Sequence, residues 1–205
     1  MGTYTFIELD LPAGAYLADL SGAEQDLQSA AGMARYLKKH FETQPLDFTL
    51  DDALTTAILV RYSRPFTTGV RKQLGDEVLQ TLSKAQRAEH EKFRAWRDKH
   101  IAHSVNVFEE NQLVARYWIE KVQTEGIREI SINQTRLVGF SSADVEAILN
   151  LIDTVLSRLR ELIEDEKAKV LAIVRALPIE AVISRPPKPV VIPDVSKVAK
   201  TRKRL

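Results

Sequence analysis

The residues that decide the fold are 141–164, which read SSADVEAILNLIDTVLSRLRELIE. Ser141, followed three positions later by Asp144, has the spacing of a capping box, in which two side chains bond to free amides at a helix start. The apolar residues that follow recur every three or four positions and form one stripe: Val145, Ile148, Leu149, Ile152, Val155, Leu156, Leu159, Leu162 and Ile163. A helix of this kind, which could extend to Leu177, must bury its stripe against other helices or a second subunit.

Three more helices are predicted before this one. The first begins at Ser21, which has capping-box spacing to Glu24, and runs to about residue 43. The second begins at Asp51 and should kink or stop near Arg64, because Pro65 lacks an amide hydrogen. Residues 66–74 could continue it, although a glycine at 69 weakens that continuation. The third helix covers about residues 84–103.

An alternating pattern separates the third helix from the last. Leu113, Ala115, Tyr117 and Ile119 alternate with other residues, and Ile130 and Ile132 do the same after the turn-like segment 124–126. Alternation with a period of two is typical of strands, so a β-hairpin insert is expected near residues 112–136. The predicted fold class is therefore mainly α, an antiparallel helical bundle of about four main helices with a β-hairpin insert.

The predicted domain organisation has three parts. Residues 1–20 form an irregular N-terminal arm with a short strand at 4–9, residues 21–183 form the helical domain, and residues 184–205 form a flexible, Pro-rich, basic tail. The tail carries a charge of +6, which leaves −5 for residues 1–183 out of a net charge of +1. Attraction to phosphate is therefore expected from local patches or from the tail.

Composition excludes several classes of function. The 205 residues include no cysteine, which excludes disulfides, zinc–thiolate sites and cysteine nucleophiles. The N-terminus does not resemble a signal peptide, and no apolar run is long enough to span a membrane, so a soluble, cytoplasmic protein is expected. The chain has neither a Gly-rich phosphate loop nor a Gly-x-Ser-x-Gly elbow, which disfavours P-loop nucleotide hydrolysis and serine hydrolysis.

One segment concentrates residues that can perform chemistry: Arg97-Asp98-Lys99-His100-Ile101-Ala102-His103-Ser104. Helix positions three apart are neighbours, so Arg97, His100 and His103 form a slowly drifting stripe at the predicted helix end. Arg97 and His103 are six positions apart and do not stack directly. A long arginine side chain or fraying of the helix end could still bring their polar ends to one site.

This segment resembles the signature of the HEPN superfamily, in which an Arg with a polar follower precedes a His by four to six residues. Here the Arg is Arg97, the follower is Asp98 where the family commonly has Asn, and five residues intervene before His103. The string is also similar to that of HEPN proteins linked to abortive phage infection. The resemblance covers residues 21–177 in helix order and is sharp only over 97–104.

The resemblance implies an α-helical bundle that forms a homodimer, with two motifs meeting across a shared cleft and cutting RNA without a metal or a cofactor. It implies a toxin or phage-defence endoribonuclease. His103 is then the acid/base, since a histidine exchanges protons near neutral pH. Arg97 holds the phosphate, since a guanidinium binds phosphate oxygens as a fork. Asp98 could orient a partner side chain, and His100 is a weaker candidate.

Supporting residues are expected outside the motif. Arg61 and Arg64 lie one helical turn apart before Pro65, and they either line the same cleft as Arg97 or form a solvated helix face. Basic residues of the tail are expected to attract RNA: Lys197, Lys200, Arg202, Lys203 and Arg204. RNA, a second copy of the chain and an antitoxin protein are the expected partners.

Other functions remain open at the level of sequence. The same fold could serve as a non-catalytic nucleotide- or partner-binding module, or as a structural protein whose last helix is an interface. The two histidines could simply favour a helix C-terminus as positive charges. His100 and His103, with Glu89 or His90, could bind a metal, but two histidines fix no coordination geometry, and no metal site is predicted.

Overall fold

A computed structural model describes residues 7, 9, 11–45, 47–101, 109–136 and 139–185. These residues form a helical bundle that carries one two-stranded hairpin, which confirms the predicted fold class. The α-helices are α1 (Ala15–Thr43), α2 (Phe48–Ser63), α3 (Asp76–Leu79), α4 (Lys84–Trp96), α5 (Val122–Glu125), α6 (Ser142–Arg175) and α7 (Ile179–Ile183). The strands are β1 (Glu109–Arg116) and β2 (Glu129–Arg136), and a π-helical turn follows α4 over Arg97–Ile101.

The apolar stripe of α6 is buried within a single chain. Its buried residues are Val145, Ile148, Leu151, Ile152, Val155, Leu156, Leu159 and Ile163. The facing surface comes mainly from α1, which buries Leu20, Ala23, Leu27, Ala30, Ala31, Ala34 and Leu37. Four of these seven are alanines, and small side chains let two helices approach closely. The stripe is therefore covered by other helices, and it does not require a second subunit.

Polar contacts show that neighbouring helices run antiparallel, as predicted. Between α1 and α6, residue numbers fall along one helix as they rise along the other, in Lys38–Glu146, Arg35–Asp153 and Glu24–Arg160. Helices α1 and α2 are also antiparallel, as the contacts His40–Asp51 and Asp26–Arg61 show. Helices α4 and α6 are antiparallel too, as the contacts Gln86–Thr154 and Lys92–Asp144 show. Each helix thus returns along its neighbour, as the helix order along the chain indicates.

The ends of the helices are set by local side chains. Ser141 and Asp144 form the predicted capping box at the start of α6. Ser83 and Gln86 form a second capping box at the start of α4. The α2 helix ends at Ser63 and passes into a 3-10 turn over Arg64–Phe66, because Pro65 cannot donate a helical hydrogen bond. The predicted stop near Arg64 is confirmed.

An aromatic cluster joins α2 and α4 in the core. The Tyr62 hydroxyl lies 2.6 Å from Nδ1 of His90, and both side chains are buried. The His90 ring packs edge-on against Phe66, with ring centres 4.7 Å apart, and Phe93 packs edge-on against Tyr62. Burial lowers the pKa of His90, because the charged imidazolium loses its hydration there. His90 is therefore a residue of the core, whereas the sequence had also allowed it to be a metal ligand.

The hairpin insert is confirmed, but its apolar residues are exposed. Strands β1 and β2 pair antiparallel, with Leu113 opposite Ile132 and Ala115 opposite Ile130. Directly opposite residues share a face, and Leu113 is 75% exposed while Ile130 and Ile132 are each 60% exposed. The alternating pattern thus produced the expected strands without the buried face that usually accompanies it.

Two predicted helix starts were wrong. Helix α1 begins at Ala15 rather than Ser21, because a turn over Pro12–Gly14 leads into it and proline is preorganised for a first helical turn. Helix α2 begins at Phe48 rather than Asp51, because Asp47 is the capping residue and accepts the N–H groups of Thr49 and Leu50. The predicted arm therefore contributes residues 15–20 to α1.

The proposed continuation of α2 through residues 66–74 does not form. The chain instead folds back, and the Leu74 N–H donates to the Pro65 carbonyl at 2.8 Å. The predicted third helix is α-helical only to Trp96 and then becomes the π-helical turn. Residues 102–108, most of the predicted strand at 4–9 and tail residues 186–205 lie outside the described residues.

Matched leucine substitutions on α6 test the core. Leu151 is fully buried and Leu171 is 46% exposed on the same helix. Leu151→Ala should lower the free energy of unfolding by about 2–5 kcal/mol, since it removes apolar contacts and leaves a cavity. Leu171→Ala should change it by less than about 0.5 kcal/mol. Urea unfolding followed by circular dichroism measures both, and equal effects would contradict the assignment of the buried face.

The buried histidine predicts a loss of stability on acidification. Because the pKa of His90 is lower in the folded protein than in the unfolded chain, the unfolded state binds more protons as the pH falls below about 6.5. The free energy of unfolding should therefore fall between neutral pH and the lowered pKa. In His90→Asn, which cannot titrate, this part of the pH dependence should disappear. Urea unfolding at a series of pH values checks the difference, and identical pH profiles would contradict it.

Candidate functional site

The candidate motif begins where α4 changes its winding. Trp96, the last residue of α4, packs edge-on against Phe140 with ring centres 5.1 Å apart, and Phe93 packs against the same ring. Arg97 then opens the π-helical turn, in which hydrogen bonds span five residues instead of four. Such turns are frequent at functional sites. The winding changes within the motif, so its residues do not follow the angular positions of an uninterrupted α-helix.

Arg97 and Asp98 form a local ion pair. Arg97 Nη1 donates to Asp98 Oδ1 at 2.8 Å, and the two side chains are 34% and 49% exposed. One nitrogen of the guanidinium is used in this contact, and an arginine carries five N–H donors. Asp98 therefore orients Arg97 itself through one nitrogen of its guanidinium.

The predicted partner of Arg97 is not described. His103 lies in residues 102–108, and the side chain of His100 is also outside the described part, although its backbone belongs to the π-helical turn. The tail residues predicted to attract RNA, Lys197, Lys200, Arg202, Lys203 and Arg204, fall in the segment 186–205. The meeting of Arg97 with His103 therefore stays a prediction from sequence.

Arg61 and Arg64 lie close together, and the residue that both of them contact is Asp26. Both approach the carboxylate of Asp26 on α1, with Arg61 Nη1 at 2.8 Å and Arg64 Nη1 at 3.3 Å from Oδ1. Arg71, in the segment after α2, reaches the other oxygen at 3.0 Å. Asp26 itself is almost fully buried. The structure thus forms a three-arginine cluster, defined as Arg61, Arg64 and Arg71 around Asp26.

Sequence reasoning missed Asp26 and Arg71, and the geometry explains why. Asp26 is 35 residues from Arg61 and 45 residues from Arg71 along the chain. Only the docking of α2 and of the segment after it onto α1 brings these charges together. The sole available signal was a charged residue, Asp26, on the apolar face that includes Ala23, Leu27 and Ala30. A buried carboxylate requires a positively charged or hydrogen-bonding partner, but this requirement does not show which residue the partner is.

A second polar pair lies between α1 and α2. His40 Nε2 and Asp51 Oδ1 are 3.8 Å apart, and neither atom has a hydrogen-bond partner among the described residues. Burial raises the pKa of Asp51. A pocket of about 270 Å³ opens beside the pair and is lined in part by Phe48 and Phe140. Gly139 (φ 74°) approaches Asp51 here so closely that an added Cβ would lie 3.2 Å from the Asp51 Cβ.

Within the described ranges, no group of three or more His, Asp or Glu side chains could hold a metal ion. None of the helices in that part of the chain combines the length and apolar character needed to cross a membrane. No protein-family model, curated protein or solved structure matched this chain.

Replacing the central carboxylate tests the three-arginine cluster. Asp26→Asn keeps the shape and removes the charge, so three like charges are left facing one another. The free energy of unfolding should fall by about 1–2 kcal/mol, less than for a fully buried pair because each arginine can turn towards water. Asp153→Asn is the matched control, since Asp153 pairs with Arg35 at 3.6 Å and both side chains are 61% exposed. Urea unfolding should show an effect below about 0.5 kcal/mol for the control.

Proposed function

We propose that this chain is a HEPN-like, metal-independent endoribonuclease that acts in the cytoplasm as a toxin or phage-defence protein. The observation that carries the proposal is the motif Arg97-Asp98, which directly follows a core helix of the bundle, with His103 next in the sequence after five intervening residues. Two features support it. The guanidinium of Arg97 is partly exposed and oriented by Asp98, and the turn that begins at Arg97 is π-helical.

The residues of the motif are suited to RNA cleavage by transesterification. His103 accepts the proton of the 2′-hydroxyl, whose oxygen attacks the adjacent phosphorus. The bond to the 5′-oxygen breaks, and the protonated His103 then acts as the acid and gives a proton to that oxygen. The products are a 2′,3′-cyclic phosphate and a 5′-hydroxyl end. Arg97 binds the phosphate and stabilises the charge that develops on its non-bridging oxygens. Asp98 is a positioning residue that holds Arg97, and His100 stays a supporting candidate.

The proposal includes a homodimer in which two copies of the motif meet. The apolar stripe of α6 no longer supports this, since α1 covers it within one chain. Exposed apolar side chains elsewhere now support it: Leu113, Ile130 and Ile132 on the hairpin, and Leu171, Ile173, Ile179 and Ile183 on the last two helices. Exposed apolar groups of this kind are typical of association surfaces. RNA and an antitoxin protein belong to the same proposal as partners, with the basic tail as an electrostatic contact to RNA.

One specific observation favours a second candidate, a non-catalytic nucleotide-binding module. The three-arginine cluster holds an excess of positive charge at a partly exposed position that does not depend on the motif. A module of this kind would bind phosphate without turnover. The cleavage assay separates the two functions.

We expect Arg97→Ala and His103→Ala to abolish detectable RNA cleavage. Positioned acid/base catalysis contributes about 10²–10⁴-fold in rate, and His103→Ala removes it. Arg97→Lys should restore little, because an ammonium cannot form the planar fork. A chelator should not inhibit the wild-type protein, and the products should carry cyclic phosphates. The measurement is single-turnover cleavage of labelled RNA.

Controls establish that loss of cleavage is not loss of structure. Arg94→Ala removes an arginine from the same helix and should retain cleavage. All variants should keep the wild-type circular dichroism and, by light scattering, a mass of about twice 23.1 kDa. Full cleavage by a folded His103→Ala protein would refute the assignment. Loss of cleavage after addition of a chelator would instead favour the hypothesis that His100 and His103 bind a metal ion.

A further inference from the structure

The three-arginine cluster holds more positive charge than its carboxylate requires. One arginine can satisfy a carboxylate through two parallel hydrogen bonds. Here Asp26 receives three arginines, each within 3.3 Å, so three positive charges face one negative charge and an excess of +2 remains. Like charges held together repel, and Arg61 and Arg64 are also neighbours one helical turn apart. The pairing of Asp26 alone does not explain this arrangement.

The three arginine side chains of the cluster are partly exposed, whereas their shared carboxylate is buried. The side chains of Arg61, Arg64 and Arg71 are 45%, 44% and 36% exposed, while that of Asp26 is 4% exposed. Asp26 therefore lies beneath the guanidinium groups and holds each of them by one nitrogen. Each guanidinium carries five N–H donors, and the contact with Asp26 involves one nitrogen of each arginine.

The segment that carries Arg71 packs against α1, so the guanidinium of Arg71 lies on the surface of that helix. The backbone N–H of Lys72 donates to Asp19 at 2.9 Å, and the Lys72 ammonium lies 4.2 Å from the centre of the Tyr16 ring. These two contacts attach the segment that carries Arg71 to α1.

Gly22 makes the position of Arg71 possible. A Cβ at residue 22 would lie 2.9 Å from Arg71 Nη1 and 3.1 Å from its Cζ. Arg71 therefore packs over the bare backbone of α1, one helical turn before Asp26. A methyl group at this position would displace the guanidinium, whose flexible side chain could move away without disturbing the helix.

We propose that the three-arginine cluster binds a phosphate group of a nucleotide or RNA ligand. A phosphate monoester carries about −1.5 to −2 charges at neutral pH, which matches the excess of +2 and favours a terminal phosphate over a backbone phosphodiester. Arginine is the residue best suited to bind phosphate oxygens in pairs. The site is separate from the Arg97 motif and does not depend on the proposed cleavage activity.

The test uses the full chain and probes that it cannot cleave. The probes are inorganic phosphate and two 2′-O-methylated oligoribonucleotides of one sequence, one with a 5′-phosphate and one with a 5′-hydroxyl. The variants are Arg64→Gln, which leaves Asp26 with two arginines, and Gly22→Ala, which displaces Arg71. The control is Arg35→Gln, which removes an equal charge from α1 at a site paired with Asp153. Binding is measured by calorimetry at low salt, and thermal melting confirms that each variant is folded.

We expect Arg64→Gln and Gly22→Ala to bind the 5′-phosphorylated probe about tenfold more weakly, as the loss of a charge-assisted hydrogen bond implies. Arg35→Gln should bind within about twofold of wild type, since exposed distant charges are screened. A wild-type preference for the 5′-phosphorylated probe assigns a terminal phosphate, and equal binding of both probes assigns the backbone. The proposal is overturned if no probe binds, if both cluster variants bind like wild type, or if Arg35→Gln loses as much affinity as Arg64→Gln.

Discussion

The antiparallel contact between α1 and α6 is the interaction on which the rest of the structure depends. The two helices span 29 and 34 residues, and their facing apolar surfaces account for most of the buried core. Alanines on α1 receive the larger side chains of α6, which makes the contact close. The remaining helices are placed by this pair, because α2 returns along α1 and α4 returns along α6. The three-arginine cluster takes its position from that arrangement, because α1 provides Asp26 and α2 provides Arg61.

Phe140 connects this core to the motif at the end of α4. Its backbone N–H donates to the Thr55 hydroxyl of α2 at 2.9 Å, and its ring packs against Phe93 and Trp96. Three elements are thus joined at one aromatic residue just before α6 begins. Because Trp96 is held there, Arg97 starts its π-helical turn from a fixed point. A partly exposed guanidinium on a rigid support loses little conformational freedom when it binds a ligand.

The two cationic sites differ in how they are built. Arg97 pairs with Asp98, its immediate neighbour in sequence, so this contact needs no tertiary structure. The three-arginine cluster joins α1, the end of α2 and the segment after it, so it exists only in the folded chain. Its positive excess lies in a part of the chain, residues 1–183, whose net charge is −5. Overall charge therefore says little about local phosphate binding, because geometry decides which charges meet.

Features that depend on residues close together in the chain could be predicted from the sequence alone. The helix start at Ser141, the helix stop before Pro65 and the alternation in the hairpin are all set within a few residues, and all three were confirmed. The predicted start at Ser21 was wrong, since the spacing of a capping signal can also occur inside a helix. The predicted start at Asp51 was wrong because Asp47 caps α2. Three other features follow from how the elements pack and could not be predicted: α1 covers the α6 stripe, the hairpin exposes its apolar face, and Asp26 contacts three arginines. Caps and periodicity act over one or two turns, whereas an ion pair between residues 35 or 45 positions apart depends on how the helices pack.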